Sequence, residues 1–396
     1  MRRTRVVVIV VLALCVFTRP VAGQEHPHQE TTAAAWSWTF DGNAFLGRNY
    51  QRRLFADYTT WESQNWFMLA ADRQSPGGRL SANLMLSLEP FTMHDRGSPQ
   101  LFQTGESYQR IPLVHYQHPH DLLMGLGVTY AFTRTRVTYT LGADLVGSPT
   151  LGPTAFMHRA SARDNPQAPL IHHSLDSTHI TPGVLRAGVG VGSLTIETSI
   201  FRGAEPDEDR INIERPRFDS WAARARWRRG PWDAQVSGGR LRQPEWFEPW
   251  DATRLTASVS FDGQLRSRPL AMTLAWGGNR QFNGFNGNVD GFLLEGDLRA
   301  TAASAVYGRV EVTAKELFGL GPHAKEFAHR HWFSDVRAFT AGYLWDVPLQ
   351  RVGRLGVGAD VTVYRIAPDI LRYFGSSRSF HVFLRWRPQV AAPHVH

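Results

Sequence analysis

Between Leu122 and Phe132 apolar residues occupy every second position: Leu122, Met124, Leu126, Val128, Tyr130 and Phe132, with mostly small or polar residues between. A strand points successive side chains to opposite faces, so this period of two predicts a strand with one apolar face. The alternation recurs in Leu80, Ala82, Leu84, Leu86 and Leu88, and in Val137, Tyr139, Leu141, Ala143 and Leu145. It returns in Leu255, Ala257, Val259 and Phe261, in Leu270, Met272, Leu274 and Trp276, and in Phe380, Val382, Leu384 and Trp386.

The opposite face carries charge: Glu89, Asp144, Glu197, Arg224, Arg226, Arg254, Glu295, Arg309, Glu311, Asp360 and Arg385. A soluble β-sandwich also alternates, but it turns the charged face to bulk water. Strands of about nine to eleven residues with many aromatics suit a barrel turned inside out, with lipid outside and a polar lumen. Lipid leaves no backbone group unpaired, so such a sheet must close.

The expected strands are 36–46, 62–72, 79–89, 121–132, 135–146, 182–191, 194–201 and 217–228. They continue with 232–241, 252–262, 268–278, 290–299, 303–313, 335–347, 354–365 and 378–387. That makes an antiparallel transmembrane barrel of about sixteen strands, with fourteen to eighteen inside the boundary error. Even-numbered connections are short, such as "TR", "GS" and "RGP"; odd-numbered ones are long, notably 90–120 and 147–181. Short periplasmic turns opposite long extracellular loops are the asymmetry of outer-membrane barrels, and a sandwich has no reason to keep it.

The ends refine the location. "MRRTR" followed by the apolar Val6–Phe17 and small residues before Gln24 predicts a secretory signal peptide, 1–23, cut near Gly23 and Gln24. About 12 apolar residues do not span the bilayer as a helix. A flexible tail, 24–35, then precedes a barrel over 36–387, and 388–396 form a second tail. The one cysteine, Cys15, falls inside the signal, so the mature chain needs no disulfide. The formal charge of +8 falls to nearer +4 once Arg2, Arg3, Arg5 and Arg19 leave, and no nucleic-acid partner is implied. Expected partners are outer-membrane lipids and lipopolysaccharide, the outer-membrane assembly machinery, and a small polar solute or metal ion.

Eight of the sixteen histidines lie between His94 and His179, in or beside the two longest loops. "LGPTAFMHRASA" and "APLIHH" are apolar enough to pack, so at least one loop is expected to fold into the lumen. Three chemistries compete there. A transition-metal site, for Cu or Zn, would draw on His118, His120, Asp121, His158, His172, His173, Asp176 and His179, because neutral imidazole and carboxylate are ligands for such ions. The spacings match no established zinc framework. A hydrogen-bonded network between loops and lumen arginines is the blander alternative. Third, "HHSLDSTH" holds Ser174 and Ser177 beside His172, His173, His179 and Asp176, the residue types of a hydrolase triad, although no catalytic residue and no cofactor are assigned. "FRGAEPDEDR" lacks the spacing of a calcium loop and reads as a solvated loop or an ion-pair lock involving Arg202 and Arg210.

The stretches "GNAFL", "SLEP", "QTGE", "QHPHD", "GPTAFMHR", "DSTHI" and "EPDE", over about residues 36 to 310, resemble a group of uncharacterised bacterial outer-membrane barrel proteins. The resemblance implies fold and location, with no activity attached. A looser similarity, to porin-like and copper-resistance outer-membrane proteins, rests on histidine and methionine content, here seven Met without a Met-rich repeat. "SFHVFLRW" resembles the C-terminal assembly signal of such barrels, followed here by "RPQVAAPHVH". The reading is a porin-like barrel for passage or binding of a small polar solute or metal ion. Its alternatives are a plugged, non-conducting structural or metal-sequestering barrel and a lipid hydrolase.

Overall fold

The computed structural model describes residues 35–54, 56–245, 250–281, 289–316, 333–350 and 352–388. The signal peptide and both tails fall almost wholly outside these residues. Among the described residues, nineteen strands are present. Sixteen of them form the wall of one closed barrel: β1 (Ser37–Tyr50), β3 (Asn65–Ser75), β4 (Gly78–Leu86), β7 (Leu123–Arg134), β8 (Val137–Gly147), β9 (Thr181–Val191), β10 (Leu194–Phe201) and β11 (Ser220–Arg229), followed by β12 (Trp232–Leu241), β13 (Ala252–Leu265), β14 (Arg268–Gln281), β15 (Val289–Thr301), β16 (Ser304–Glu316), β17 (Phe333–Leu349), β18 (Gly353–Arg365) and β19 (Arg378–Arg387). Each wall strand pairs antiparallel with the next in sequence, and β1 closes on β19 from Ala44↔Trp386 to Tyr50↔Phe380. Closure leaves no edge, which is what a hydrocarbon surround requires.

The apolar stripes face outward as their period demands. Leu141, Ile196, Val236, Leu274, Phe292 and Val382 are all exposed on the outer surface. Among the described residues no helix is long and apolar enough to cross a membrane, so the crossing is made by strands. A continuous outer belt of this kind is solvated by lipid, and the strand length fits a tilted span. Tight turns join the strands at one end, for example Arg266–Ser267 and Gly192–Ser193, and long connections lie at the other.

Two features depart from the simple alternation. Between β4 and β7 the register slips from Met85↔Gly125 to Leu86↔Leu123, leaving Met124 as the extra residue of a bulge. Met124 therefore turns inward, fully buried beside Trp66, Met85 and Phe156, and does not begin the lipid face as the alternation predicts. Glu89, expected as the last residue of strand 79–89, instead lies beyond the end of β4 at Leu86, in a one-turn helix, Glu89–Thr92, where Pro90 occupies an early helical position.

Three strands lie outside the sixteen. β2 (Thr60–Glu62) extends the rim against β1. β5 (Ser98–Tyr108) and β6 (Ile111–Gln117) form a hairpin inside the 90–120 loop. The loop between β8 and β9 enters the lumen: most residues from Pro149 to Val184 are buried. The molecule's apolar cores are consequently inside the barrel. One joins Phe156, Met157, Ala168 and Ile180 of this segment to Trp66, Met85, Met124 and Val146. Another joins Ile171 and Leu175 to Ala275 and Leu293 of the wall.

Candidate functional site

The inserted segment, 148–180, is held by the inner face of the wall through polar contacts spread round the ring. Arg159 is its central anchor: buried, it pairs with Asp176 of the same segment and, at 2.7 Å, with Glu295 of β15. Glu295 also accepts from Arg309 of β16 at 3.0 Å, and Arg309 donates to the Gln167 carbonyl at 2.9 Å. Across the lumen Arg385 of β19 pairs with Asp164, and with Asp346 of β17 at 2.8 Å. Arg254 of β13 donates to Ser177 Oγ, and the Asn43 amide of β1 donates to the Arg163 carbonyl, both at 2.9 Å. Ser199 and Ser237 accept the Thr150 and Gly152 amides at 3.0 and 2.8 Å. A buried charge is tolerated only when paired and hydrogen-bonded, so these contacts fix one seat for the segment.

Two glycines shape that seat. Gly277 of β14 and Gly291 of β15 are cross-strand partners, and the helical turn His172–Leu175 lies directly over them. A Cβ on Gly277 would come within 2.3 Å of the Ser174 carbonyl oxygen, and one on Gly291 within 2.4 Å of Ile171 Cγ2. Absence of a side chain at both is what allows this close approach.

Above the plug lie the hairpin and the loop that follows β10. Gln100 and Gln103 donate to the Ala168 and Pro169 carbonyls of the plug at 2.7 and 3.2 Å. The hairpin tip is gripped by Glu208, whose carboxylate accepts the Gln109 and Arg110 amides at 2.6 and 3.0 Å. The acidic "EPDE" loop is thus a clasp for the hairpin. Arg210 from the same loop pairs with Asp121 at 3.2 Å. Burial raises the Asp121 carboxyl to about 6, although Arg210 opposes the shift.

The histidines of the two long loops meet at this junction. Ring centroids of His120 and His179 are 5.3 Å apart, those of His172 and His179 5.2 Å, and those of His118 and His173 6.5 Å. Most are oriented through Nδ1. His120 reaches Glu89 Oε2 at 2.8 Å, His172 reaches Asp176 Oδ1 at 2.7 Å, and His179 contacts the Asp176 carbonyl at 2.9 Å. Burial, then the neighbouring Arg210 and His120, holds His118 well below the usual imidazole value. Burial does the same to His179, reinforced by His172. His158 stands apart, packed edge-on to Trp66 and 3.1 Å from Met85 Sδ.

The eight residues named from the sequence therefore do not form one coordination sphere. Among the described residues, the group of three whose donor atoms all lie within 4.8 Å of one another is His173, Glu205 and Glu245. Asp121 and Asp176 are instead engaged by arginines. Glu205 is visible in the acidic run, but Glu245 sits in "RQPEWFEP", where no spacing or alternation marks it. Ser174 Oγ donates to the Ile171 carbonyl at 3.0 Å and Ser177 Oγ accepts from Arg254, so neither is paired with the His172–Asp176 couple.

The charged inner face is largely occupied with the plug or with its own partners. Arg224 pairs with Glu197 at 2.8 Å and Arg186 with Asp144 at 2.9 Å. Asp360 accepts from Tyr307 at 3.0 Å and lies 2.7 Å from His381 Nδ1; Glu311 accepts the Ile171 amide at 3.3 Å. Towards the turn end, Arg159, Arg224, Arg226 and Arg228 line a cavity of 250 Å³ beneath the plug. A smaller one, 40 Å³, lies beside His118, His120 and Phe156.

No family model matches this sequence, and no curated protein sequence matches it. Solved structures do resemble it in fold. The Salmonella typhi OmpF complex with daunomycin has a TM-score of 0.54 at 10% identity, covering 88% of this chain and 97% of that one. A loop L8 deletion mutant of OmpT, an outer membrane protein of Vibrio cholerae, gives 0.51 at 10% identity, covering 90% and 100%. The anion-selective porin from Comamonas acidovorans gives 0.50 at 12% identity, covering 89% and 100%. A sixteen-stranded wall closed by β1 and β19, together with this likeness, establishes the chain as an all-β membrane barrel of porin-like fold.

Proposed function

We propose that the chain is an outer-membrane barrel of porin-like fold that is closed at rest by its own loop 148–180, and that it works by binding at the extracellular mouth rather than by free conduction. One observation carries this reading. The loop crosses the lumen and is bonded to strands all round the ring, with Arg159 and Glu295 at its centre. Removing one partner of a buried ion pair costs about 3–5 kcal/mol because it strands the other charge, so the plug can occupy this seat only with its set of pairs made together.

Planar-bilayer recording of the refolded mature chain tests the proposal. The expected result is a silent wild type, and steady current steps once residues 156–177 are replaced by a short Gly-Ser linker. Steady porin-sized current through the wild type at low voltage would overturn it. A second reading, passage of a small polar solute after plug displacement, is favoured by the arginine-lined cavity beneath the plug, which suits an anionic or hydrogen-bonding solute. It predicts brief openings of the wild type under applied voltage.

A further inference from the structure

The described histidine–carboxylate contacts are of two kinds. His172–Asp176 and His381–Asp360 close to 2.7 Å, and His120–Glu89 to 2.8 Å, the separation of charge-assisted hydrogen bonds. His173 is different. Its Nδ1 is 3.6 Å from Glu205 Oε2 and 3.5 Å from Glu245 Oε1, close to equidistant from two carboxylates and farther from each than the other imidazoles are from theirs. With Zn–N bonds of about 2.0–2.1 Å and Zn–O bonds of about 2.0–2.2 Å, tetrahedral geometry places neighbouring donors about 3.4 Å apart. The gaps around His173 have that size.

The three donors also arrive on three separate loops. His173 is on the plug, Glu205 follows β10 and Glu245 follows β12. All three side chains are largely buried, and the backbone holds the two acidic loops together where the Glu205 amide donates to the Pro244 carbonyl at 3.0 Å. The plug side is fixed by Asn279, which donates to the His173 carbonyl at 3.0 Å. The ring of His118 is the neighbouring imidazole on the hairpin side.

We infer that His173, Glu205 and Glu245 form a divalent transition-metal site, with Zn²⁺ as its expected ion, that staples the plug to two extracellular loops. One imidazole with two carboxylates is a borderline-hard donor set that suits Zn²⁺ and Mn²⁺ better than the soft Cu⁺. Two carboxylates balance the charge of the ion, while the neighbouring guanidinium of Arg254 limits affinity by repulsion. The inference adds a ligand to the closed barrel proposed above and rests on the plug being seated there, because His173 is part of the plug.

Isothermal titration of Zn²⁺ into the detergent-folded, chelator-treated full chain provides the test, run beside Glu245→Gln, Glu205→Gln and His173→Ala. The expected result is one tight Zn²⁺ per chain, weakened at least about 100-fold in each variant, beyond the 10–100-fold typical of residues that only support ligands. Glu245→Gln keeps shape and lies in a rim loop, so it reads the site even if the plug variant misfolds. Absence of stoichiometric Zn²⁺ in the wild type, or unchanged affinity in Glu245→Gln, would overturn the inference. Calorimetry does not depend on current, so the two ideas fail separately. A conducting barrel that still binds Zn²⁺ through His173 has its plug seated but not sealing, which removes only the closed-barrel reading, and a silent one that binds none removes only the metal site.

Discussion

The wall and the plug of this barrel are built on opposite principles. The wall is a ladder of backbone hydrogen bonds between strands adjacent in sequence, with lipid on one side. Its stability is distributed and its register is fixed by parity, since a one-residue slip would turn a whole apolar stripe into the lumen. The plug has little regular structure: short helical turns, no strand, and attachment chiefly through side chains to distant parts of the chain. Its order is imposed by a few buried charges and by shape. The wall is thus expected to tolerate loss of any one inward contact, and the plug is not.

The sharpest way to separate the two is Glu295→Ala. It leaves Arg159 and Arg309 buried without their shared carboxylate and should destabilise the seated plug by about 3–5 kcal/mol. Current steps should then appear in bilayers while the barrel keeps its β-sheet circular dichroism and its resistance to detergent unfolding. Loss of the barrel itself would break the distinction. The converse is Leu274→Arg, an outward change in the middle of β14. A charge placed there in lipid should cost the wall about 2–4 kcal/mol in urea-gradient folding measurements, with the folded fraction still electrically silent.

A third variant acts on shape alone. Gly291→Ala puts a methyl group against Ile171 without altering any charge, and overpacking of this kind costs about 1–3 kcal/mol. Limited proteolysis within 148–180 should become measurably faster, with wall stability unchanged. The smallest effect is expected from pH. Burial opposes ionisation of Asp176, but Arg159, His172 and His179 outweigh it and hold the carboxyl below its usual range. A depressed folded value means that Asp176 stabilises the seat above the unfolded value of about 3.9 and loses that contribution as pH falls through the folded value. Proteolytic protection of the plug should weaken first as pH falls below about 6.5, where buried His179 resists the proton that the unseated chain takes up, and again below about 4 as Asp176 withdraws its contribution. Protection that stays flat from about pH 7 to 5 would show that His179 does not report on the seat and leave the control to Asp176 alone.

Legibility in the sequence follows the same division. Stripes such as Leu270, Met272, Leu274 and Trp276 are visible because every strand repeats the lipid requirement at period two, and the alternation of short and long connections carries the topology. Met124 escapes because a bulge inverts parity without changing composition. The hairpin β5–β6 escapes because its turn, Gln109–Arg110, takes positive φ without the usual Gly, Asn or Asp, and its register shifts twice. In the plug, composition shows that 147–181 would pack. Its partners are not legible, because Arg159 and Glu295 are 136 positions apart with no local pattern joining them. The histidine-rich loops do converge, but an ion-sized gap needs three donors at set distances, and Glu245 comes from a stretch with no distinguishing residues.

The two ends of the plug leave neighbouring strands, β8 and β9, at the same mouth, so it is a loop that can be tucked in from outside without threading through anything. Closing the seam between β1 and β19 therefore does not trap the plug on either side of it. A wall closed at that seam is complete without the plug, so the two parts of the molecule are separable in topology even though they share one lumen.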